Sequence, residues 1–162
     1  MLRLTVISRR ELIAALPAIA AAAQQSRSVG KFEFFTAEQA RDAEAIAEQI
    51  IPQDESPGAK EAGVVYFIDR ALGRYFQDQQ VLYRKGLVEL AGFASLSEEQ
   101  QFQKLRSIEK TEFFEAIRTH TIMGFLADPQ YGGNRDRAGW KLIGFSAAHV
   151  YRPPFGAYDG EI

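Results

Sequence analysis

Apolar residues recur at helical spacing along most of this sequence, and that periodicity limits the folds open to the chain. From Thr36 to Leu126 they return every three or four residues, which places them on one side of successive helices. The alternating two-residue patterns typical of strands are absent from this stretch of sequence. The sequence therefore predicts an all-α fold, a single helical domain of about five helices.

Two capping boxes predict where helices begin. Thr36 and Ser97 are each followed three residues later by a glutamine, Gln39 and Gln100. In this motif the hydroxyl accepts a hydrogen bond from the third backbone amide, and the third side chain bonds back to the amide of the cap. We therefore predict one helix starting after Thr36 and another starting after Ser97.

Two further helical patterns supply most of the predicted core. One begins near Ala62 and the other covers about residues 111–126. Their inward residues are Val64, Phe67, Ile68, Ala71, Leu72, Tyr75 and Phe76 in the first, and Phe113, Phe114, Ile117, Thr121 and Phe125 in the second. Charged residues are expected on the opposite, solvated sides of the helices. Asp69 is one of these, and Asp42 is another, on the helix after Thr36.

The pattern changes after Leu126. Residues 128–134 are a run of turn formers, and the last 30 or so residues are rich in glycine, proline and aromatic side chains. Long irregular segments are uncommon in small domains unless a partner or a functional site orders them. We therefore predict an irregular, aromatic- and glycine-rich C-terminal tail, and we look for function there.

The N-terminal residues differ in character from the rest. Arg9 and Arg10 precede an uncharged apolar run from Leu12 to Ala23, which is 12 residues long and too short for a permanent membrane span. We predict that residues 1–26 are a twin-arginine-type signal segment and that residues 27–162 form the helical domain. The alternative is an alanine-rich amphipathic helix that packs on the core.

Composition limits the chemistry of the chain. It has no cysteine and two histidines, which excludes disulfides, thiolate nucleophiles and all-cysteine metal sites. Its 19 basic and 21 acidic residues give a net charge of −2, so no global positive field attracts nucleic acid phosphates. We therefore predict no catalytic, cofactor-binding or metal-binding residues, no cofactor and no nucleic acid partner.

Two alternatives to a binding surface remain open. Gly132-Gly133-Asn134 lacks the glycine spacing of a phosphate-binding loop, so a tight turn is the favoured interpretation. A small enzyme could use Asp54, His120 or this glycine loop, although no nucleophile motif accompanies them. A free-standing periplasmic binding or scaffold protein is the third class.

The aromatic residues of the tail give the stronger functional signal. Such side chains on an irregular segment are typical of interface anchors and equally of a cap that folds back on the core. The candidate partner interface comprises Pro129, Tyr131, Gly132, Gly133, Asn134, Trp140, Phe145, Tyr151 and Phe155.

A set of motifs in order along the chain resembles the gluconate 2-dehydrogenase subunit 3 family. They are Ile51-Pro52-x-Asp54, Pro57-Gly58-Ala59 with Ala62-Gly63-Val64, Asp128-Pro129-x-Tyr131-Gly132-Gly133-Asn134, and Trp140 followed by Ile143-Gly144-Phe145. The resemblance covers about residues 34–147. Proteins of this family are small subunits of bacterial flavin-dependent sugar and polyol dehydrogenases.

This resemblance implies a cofactor-free helical subunit that is not itself the enzyme. The expected partner is a large flavoprotein of the glucose-methanol-choline oxidoreductase type, often with a multihaem cytochrome c subunit in the same complex. The small subunit is expected to carry the twin-arginine signal and to escort the flavoprotein through the export machinery. The expected location is the periplasm, with association to the inner membrane through the complex.

Overall fold

The computed structural model of the chain describes residues 32–146, which contain six α-helices and no strand. The helices are α1 (Ala37–Ile50), α2 (Val64–Arg74), α3 (Gln80–Glu89), α4 (Glu98–Ile108), α5 (Glu112–Leu126) and α6 (Ala138–Leu142). Short 3₁₀ turns cover Gln77–Gln79, Phe93–Ser95, Pro129–Tyr131 and Arg135–Arg137. The all-α prediction is confirmed, and the helix beyond the expected five is the single-turn α6.

Both predicted capping boxes are present. The Thr36 hydroxyl accepts from the Gln39 amide at 3.2 Å, and the Gln39 side chain accepts from the Thr36 amide at 3.1 Å. Ser97 and Gln100 make the same reciprocal pair at the start of α4. These bonds satisfy backbone donors that have no partner within the first helical turn. The sequence therefore predicted where both helices, α1 and α4, begin.

The core forms where α2 packs against both α1 and α5. Small residues allow these helices to approach closely: a Cβ on Gly124 of α5 would lie 2.8 Å from the Phe67 ring of α2. A Cβ on Gly86 of α3 would likewise overlap the Phe113 ring. The buried face of α1 is built from Ala40, Ala43 and Ala47 with Ile46. Close packing of this kind yields dispersion contacts that larger side chains would prevent.

The prediction that Asp42 and Asp69 face solvent is wrong. Asp69 is buried and accepts the backbone amides of Glu33, Phe34 and Phe35 at 2.7–2.9 Å. Asp42 is buried and accepts two amides of the turn between α3 and α4, at 2.9 and 3.0 Å. Each carboxylate replaces its water shell with charge-assisted hydrogen bonds, so burial becomes tolerable.

Tyr75 also departs from the predicted inward stripe, since its side chain is exposed. Tyr75 is the C-cap of α2, with its amide donating to the Ala71 carbonyl at 2.8 Å, so it lies at the very end of the apolar stripe, where the side chain reaches solvent. Phe76, the next residue, is half-buried and stacks on the His120 ring with centroids 4.5 Å apart. At the end of α2, Tyr75 therefore faces solvent while Phe76 packs against the core.

Candidate partner interface

The chain reverses direction directly after α5. Asp128 begins a 3₁₀ turn, with its carboxylate accepting the Gln130 amide at 3.0 Å and Pro129 at the first helical position. Gly132 ends the turn with a φ of 112°, a left-handed conformation that favours glycine. The tight turn favoured by the sequence is therefore present.

Three glycines let the reversed segment lie directly on neighbouring backbone. A Cβ on Gly132 would lie 3.2 Å from the Tyr66 carbonyl. A Cβ on Gly133 would overlap the Gly124 carbonyl oxygen of α5, and one on Gly139 would overlap the Phe125 carbonyl oxygen. Larger residues at these positions would lift residues 132–139 off the core.

Asn134 fixes this segment from within. Its side chain is fully buried; the amide nitrogen donates to the Ala127 carbonyl at 2.8 Å, and the amide oxygen accepts the Gly139 backbone amide at 2.9 Å. Its φ of 48° is left-handed, a conformation that asparagine tolerates better than most residues. One side chain therefore joins the end of α5 to the start of α6.

Trp140 makes the second connection between α6 and α5. Its indole Nε1 donates to the Leu126 carbonyl at 2.7 Å. The ring meets Phe145 edge to face with centroids 5.1 Å apart, and the Arg137 guanidinium lies 5.9 Å from its centre. Asn134 and Trp140 thus satisfy two carbonyls at the C-terminal end of α5, where helices lack internal donors.

The structure places seven of the nine candidate interface residues, some at the surface and some in the interior. Tyr131 and Phe145 are exposed, 45% and 44% respectively. Half-buried positions are Pro129, Gly132 and Trp140, while Gly133 and Asn134 are buried. Tyr151 and Phe155 lie outside the described residues. The buried members fix the shape of the segment, and the exposed members leave their side chains accessible at the surface.

Several exposed apolar residues of this region were missed by the sequence analysis. They are Ile122, Met123 and Leu126 on α5 and Leu142 and Ile143 at the end of α6. A signal was available for the first three, because the C-terminal half of α5 carries apolar residues on its outer side as well as its inner side. A helix that is apolar all round is usually covered on all sides.

The two candidate catalytic residues lie in unrelated local structures. Asp54 accepts hydrogen bonds from the amide and hydroxyl of Ser56 at 2.7 and 2.8 Å, and these bonds lower the pKa of its carboxyl. His120 is buried, with Nδ1 2.8 Å from the Tyr83 hydroxyl. Burial lowers the pKa of the His120 imidazole, an effect that nearby Asp78 opposes. No hydrogen bond joins Asp54 to His120 within residues 32–146.

Arg9 and Arg10 lie outside the described residues, as does the predicted signal segment. Across residues 32–146, no group of three or more His, Asp or Glu side chains is arranged to hold a metal ion. In the same part of the chain, no helix has both the length and the apolar character needed to cross a membrane.

Comparison with known proteins gives one match. The sequence model of a family described as gluconate 2-dehydrogenase subunit 3 matches residues 37–146, more than half of the chain. The matched segment starts at the first residue of α1 and continues past α6, so it contains all six helices. No curated protein and no solved structure matches significantly.

Proposed function

The chain belongs to the gluconate 2-dehydrogenase subunit 3 family, and on this premise we propose that it is the non-catalytic small subunit of a flavin-dependent dehydrogenase complex. The partner is a large flavoprotein of the glucose-methanol-choline type that oxidises a sugar or polyol. A multihaem cytochrome c subunit completes the complex. The small subunit stabilises the flavoprotein and escorts it through twin-arginine export to the periplasm, where the complex associates with the inner membrane.

The observation that carries this proposal is the way residues 127–146 are held. Buried Asn134 and the Trp140 indole fix the segment against α5, while Tyr131 and Phe145 remain exposed. A surface that is ordered before binding loses little conformational entropy when a partner arrives. Exposed aromatic residues on such a surface are typical of interface anchors.

The escort role draws its support from the sequence. Twin-arginine signals serve proteins that fold before they cross the membrane, often because they must first acquire a cofactor. This chain has no cysteine and two histidines, which is a poor inventory for holding a prosthetic group. The subunit that needs folding before export is then the flavoprotein, which travels on the signal of its small companion.

Co-expression tests the stabilising role. A large flavoprotein of the glucose-methanol-choline type from the same organism is produced with and without the small subunit, and flavin-loaded enzyme is measured in the periplasmic fraction. We expect periplasmic flavoprotein only when both are present. Normal maturation and export without the small subunit would contradict the proposal.

The export role has its own test in the arginine pair. Replacing Arg9 and Arg10 by lysine keeps the charge of the segment but removes the guanidinium groups that define the motif. We expect both subunits to remain in the cytoplasm as an assembled complex. Unchanged periplasmic levels of both would contradict the twin-arginine assignment while leaving the complex itself intact.

A further inference from the structure

The outer side of α5 changes character halfway along the helix. Its first half carries an ion pair between Glu115 and Arg118, with a nitrogen-to-oxygen distance of 2.8 Å. One turn later the same side carries Ile122, Met123 and Leu126, which are 37–41% exposed. The opposite side is already buried in the core through Ile117, Thr121 and Phe125. The end of α5 is therefore apolar on both sides, although only one side is covered within residues 32–146.

These residues continue into the segment that follows α6. Residues 122 and 126 are one helical turn apart and share a face. The Leu126 carbonyl accepts the Trp140 indole nitrogen, and the Trp140 ring contacts Phe145. We call the set Ile122, Met123, Leu126, Trp140 and Phe145 the α5–α6 patch. Seven of the twelve exposed large apolar side chains of the described chain lie within residues 122–145, about a fifth of its length.

The charges next to the α5–α6 patch are basic. The Arg137 guanidinium lies against the Trp140 ring, and Lys141 follows Trp140 in sequence. The side chains of Arg137 and Lys141 are both exposed. Residues 116–146 contain four basic and two acidic side chains, whereas residues 32–115 contain nine basic and sixteen acidic. Residues 116–146 are therefore net basic, whereas residues 32–115 taken together are acidic, and the same segment holds the largest group of exposed apolar side chains in the described chain.

We propose that the α5–α6 patch is the docking surface for the large subunit, and that the partner presents an apolar area with an acidic border. This inference rests on the function proposed above and adds the location and chemistry of the contact. Burial of the patch removes apolar surface from water, which supplies affinity. Arg137 and Lys141 stay near the edge, where charge complementarity acts mainly on the rate of encounter and on specificity.

The charges argue against a second copy of the chain as the occupant. In a symmetric dimer the same patch meets itself, so Arg137 and Lys141 of one copy would approach those of the other. Like charges at an interface are unfavourable and suppress such pairings. An acidic border on a different protein meets no such repulsion.

Two matched double variants of the full chain locate the contact. Ile122→Gln with Met123→Gln changes the α5–α6 patch, and Val81→Gln with Val88→Gln changes exposed apolar residues of α3. Glutamine is a good helix former, so both pairs retain their helices. Affinity for the large flavoprotein subunit is measured with purified subunits, and thermal melting of each free variant checks folding. We expect about tenfold weaker binding for the patch variant and less than a twofold change for the control.

A charge variant tests the acidic border. Lys141→Glu is compared with Lys85→Glu on α3, which is also exposed. We expect Lys141→Glu to slow association about threefold at low salt, with the difference disappearing at high salt, because exposed charges are screened. Lys85→Glu should leave the rate unchanged. Faster association for Lys141→Glu, or no effect at low salt, would overturn the acidic border.

The outcomes separate this inference from the proposed function. Wild-type protein that fails to bind the flavoprotein ends both. If wild type binds and the two double variants have equal affinities, whether both are normal or both weakened, the location on the α5–α6 patch is wrong. The proposed function is unaffected by that result. The location also fails if the wild-type chain dimerises in solution through the patch, or if removing residues 147–162 is needed before the flavoprotein can bind there.

Discussion

Side chains tie irregular backbone to helices at three places in this protein, and they do so with two kinds of anchor, buried carboxylates and neutral side chains. Before α1 and between α3 and α4, buried Asp69 and Asp42 accept free backbone amides. After α5, the side chains of Asn134 and Trp140 donate to free carbonyls. Each region thus supplies the hydrogen-bonding partner that its backbone lacks.

The difference extends to the surfaces beside these anchors. A carboxylate anchor carries a full charge, whose burial is costly unless every partner is in place. The amide of Asn134 and the indole of Trp140 are neutral, so they can support a surface that becomes dehydrated when a partner binds. The neutral anchors lie beside the exposed apolar residues Leu126 and Phe145. The charged anchors thus hold the fold together, whereas the neutral ones hold the proposed binding surface in shape.

Removing a charged anchor should have the largest effect on stability. Asp69→Ala leaves three backbone amides near the start of the described chain without their acceptor, and we expect a loss of about 3 kcal/mol in the free energy of unfolding. Urea denaturation measures it. Asp69→Asn keeps one acceptor oxygen and should lose less. A loss below about 1 kcal/mol for Asp69→Ala would show that the buried carboxylate is not a major anchor of the fold.

Removing the buried neutral anchor should cost about 2 kcal/mol and should also weaken binding. Asn134→Ala deletes the bonds to Ala127 and Gly139 and places alanine at a φ of 48°. Asn134→Gly is the matched control, since it deletes the same bonds without the backbone penalty. We expect both variants to lose affinity for the flavoprotein, with Asn134→Ala also melting at a lower temperature than Asn134→Gly. Full affinity in both would show that the segment needs no fixed shape to bind.

The indole anchor should contribute less. Trp140→Phe loses the 2.7 Å bond to the Leu126 carbonyl but keeps an aromatic ring beside Phe145. We expect a loss of about 1 kcal/mol, measured by thermal melting, because the carbonyl stays close enough to the surface to gain water. A loss as large as that of Asp69→Ala would remove the distinction between charged and neutral anchors.

The smallest effect is the pH dependence of stability that comes from the buried imidazole of His120. Burial lowers the pKa of His120 in the folded protein below its ordinary value of 6.5. As the pH falls from 7.5 to 5.5, the unfolded chain binds the proton more readily, so the free energy of unfolding decreases. His120→Gln removes this titration, and we expect the variant to lose less stability than wild type over the same interval. Equal losses in the two proteins would contradict the lowered pKa.

The sequence predicted local features well, because their partners are near in the chain. The capping boxes involve residues three apart, and the inward residues of α5 follow the helical period, apart from half-buried Phe114. The glycines and the proline also predicted the turn after Asp128.

Features that join distant residues were not predictable in the same way. The amides bound by Asp69 lie 34–36 residues away in sequence, and the helical period of α2 says nothing about which segment covers it. The sequence singled out the aromatic residues of the tail as candidates, but not Ile122 and Met123, because apolar residues in a helix are first assigned to the core. Only the packing of α5 shows that its inner side is already filled.

Hydroxyl-radical footprinting of the free chain and of the complex with the flavoprotein tests most directly whether the neutral-anchored region is the binding surface. Met123 and Trp140 report on the α5–α6 patch, while Tyr75 and Phe102 report on exposed residues elsewhere. We expect modification of Met123 and Trp140 to fall severalfold in the complex while Tyr75 and Phe102 react as before. Unchanged modification of Met123 and Trp140 in a complex that has formed would contradict it.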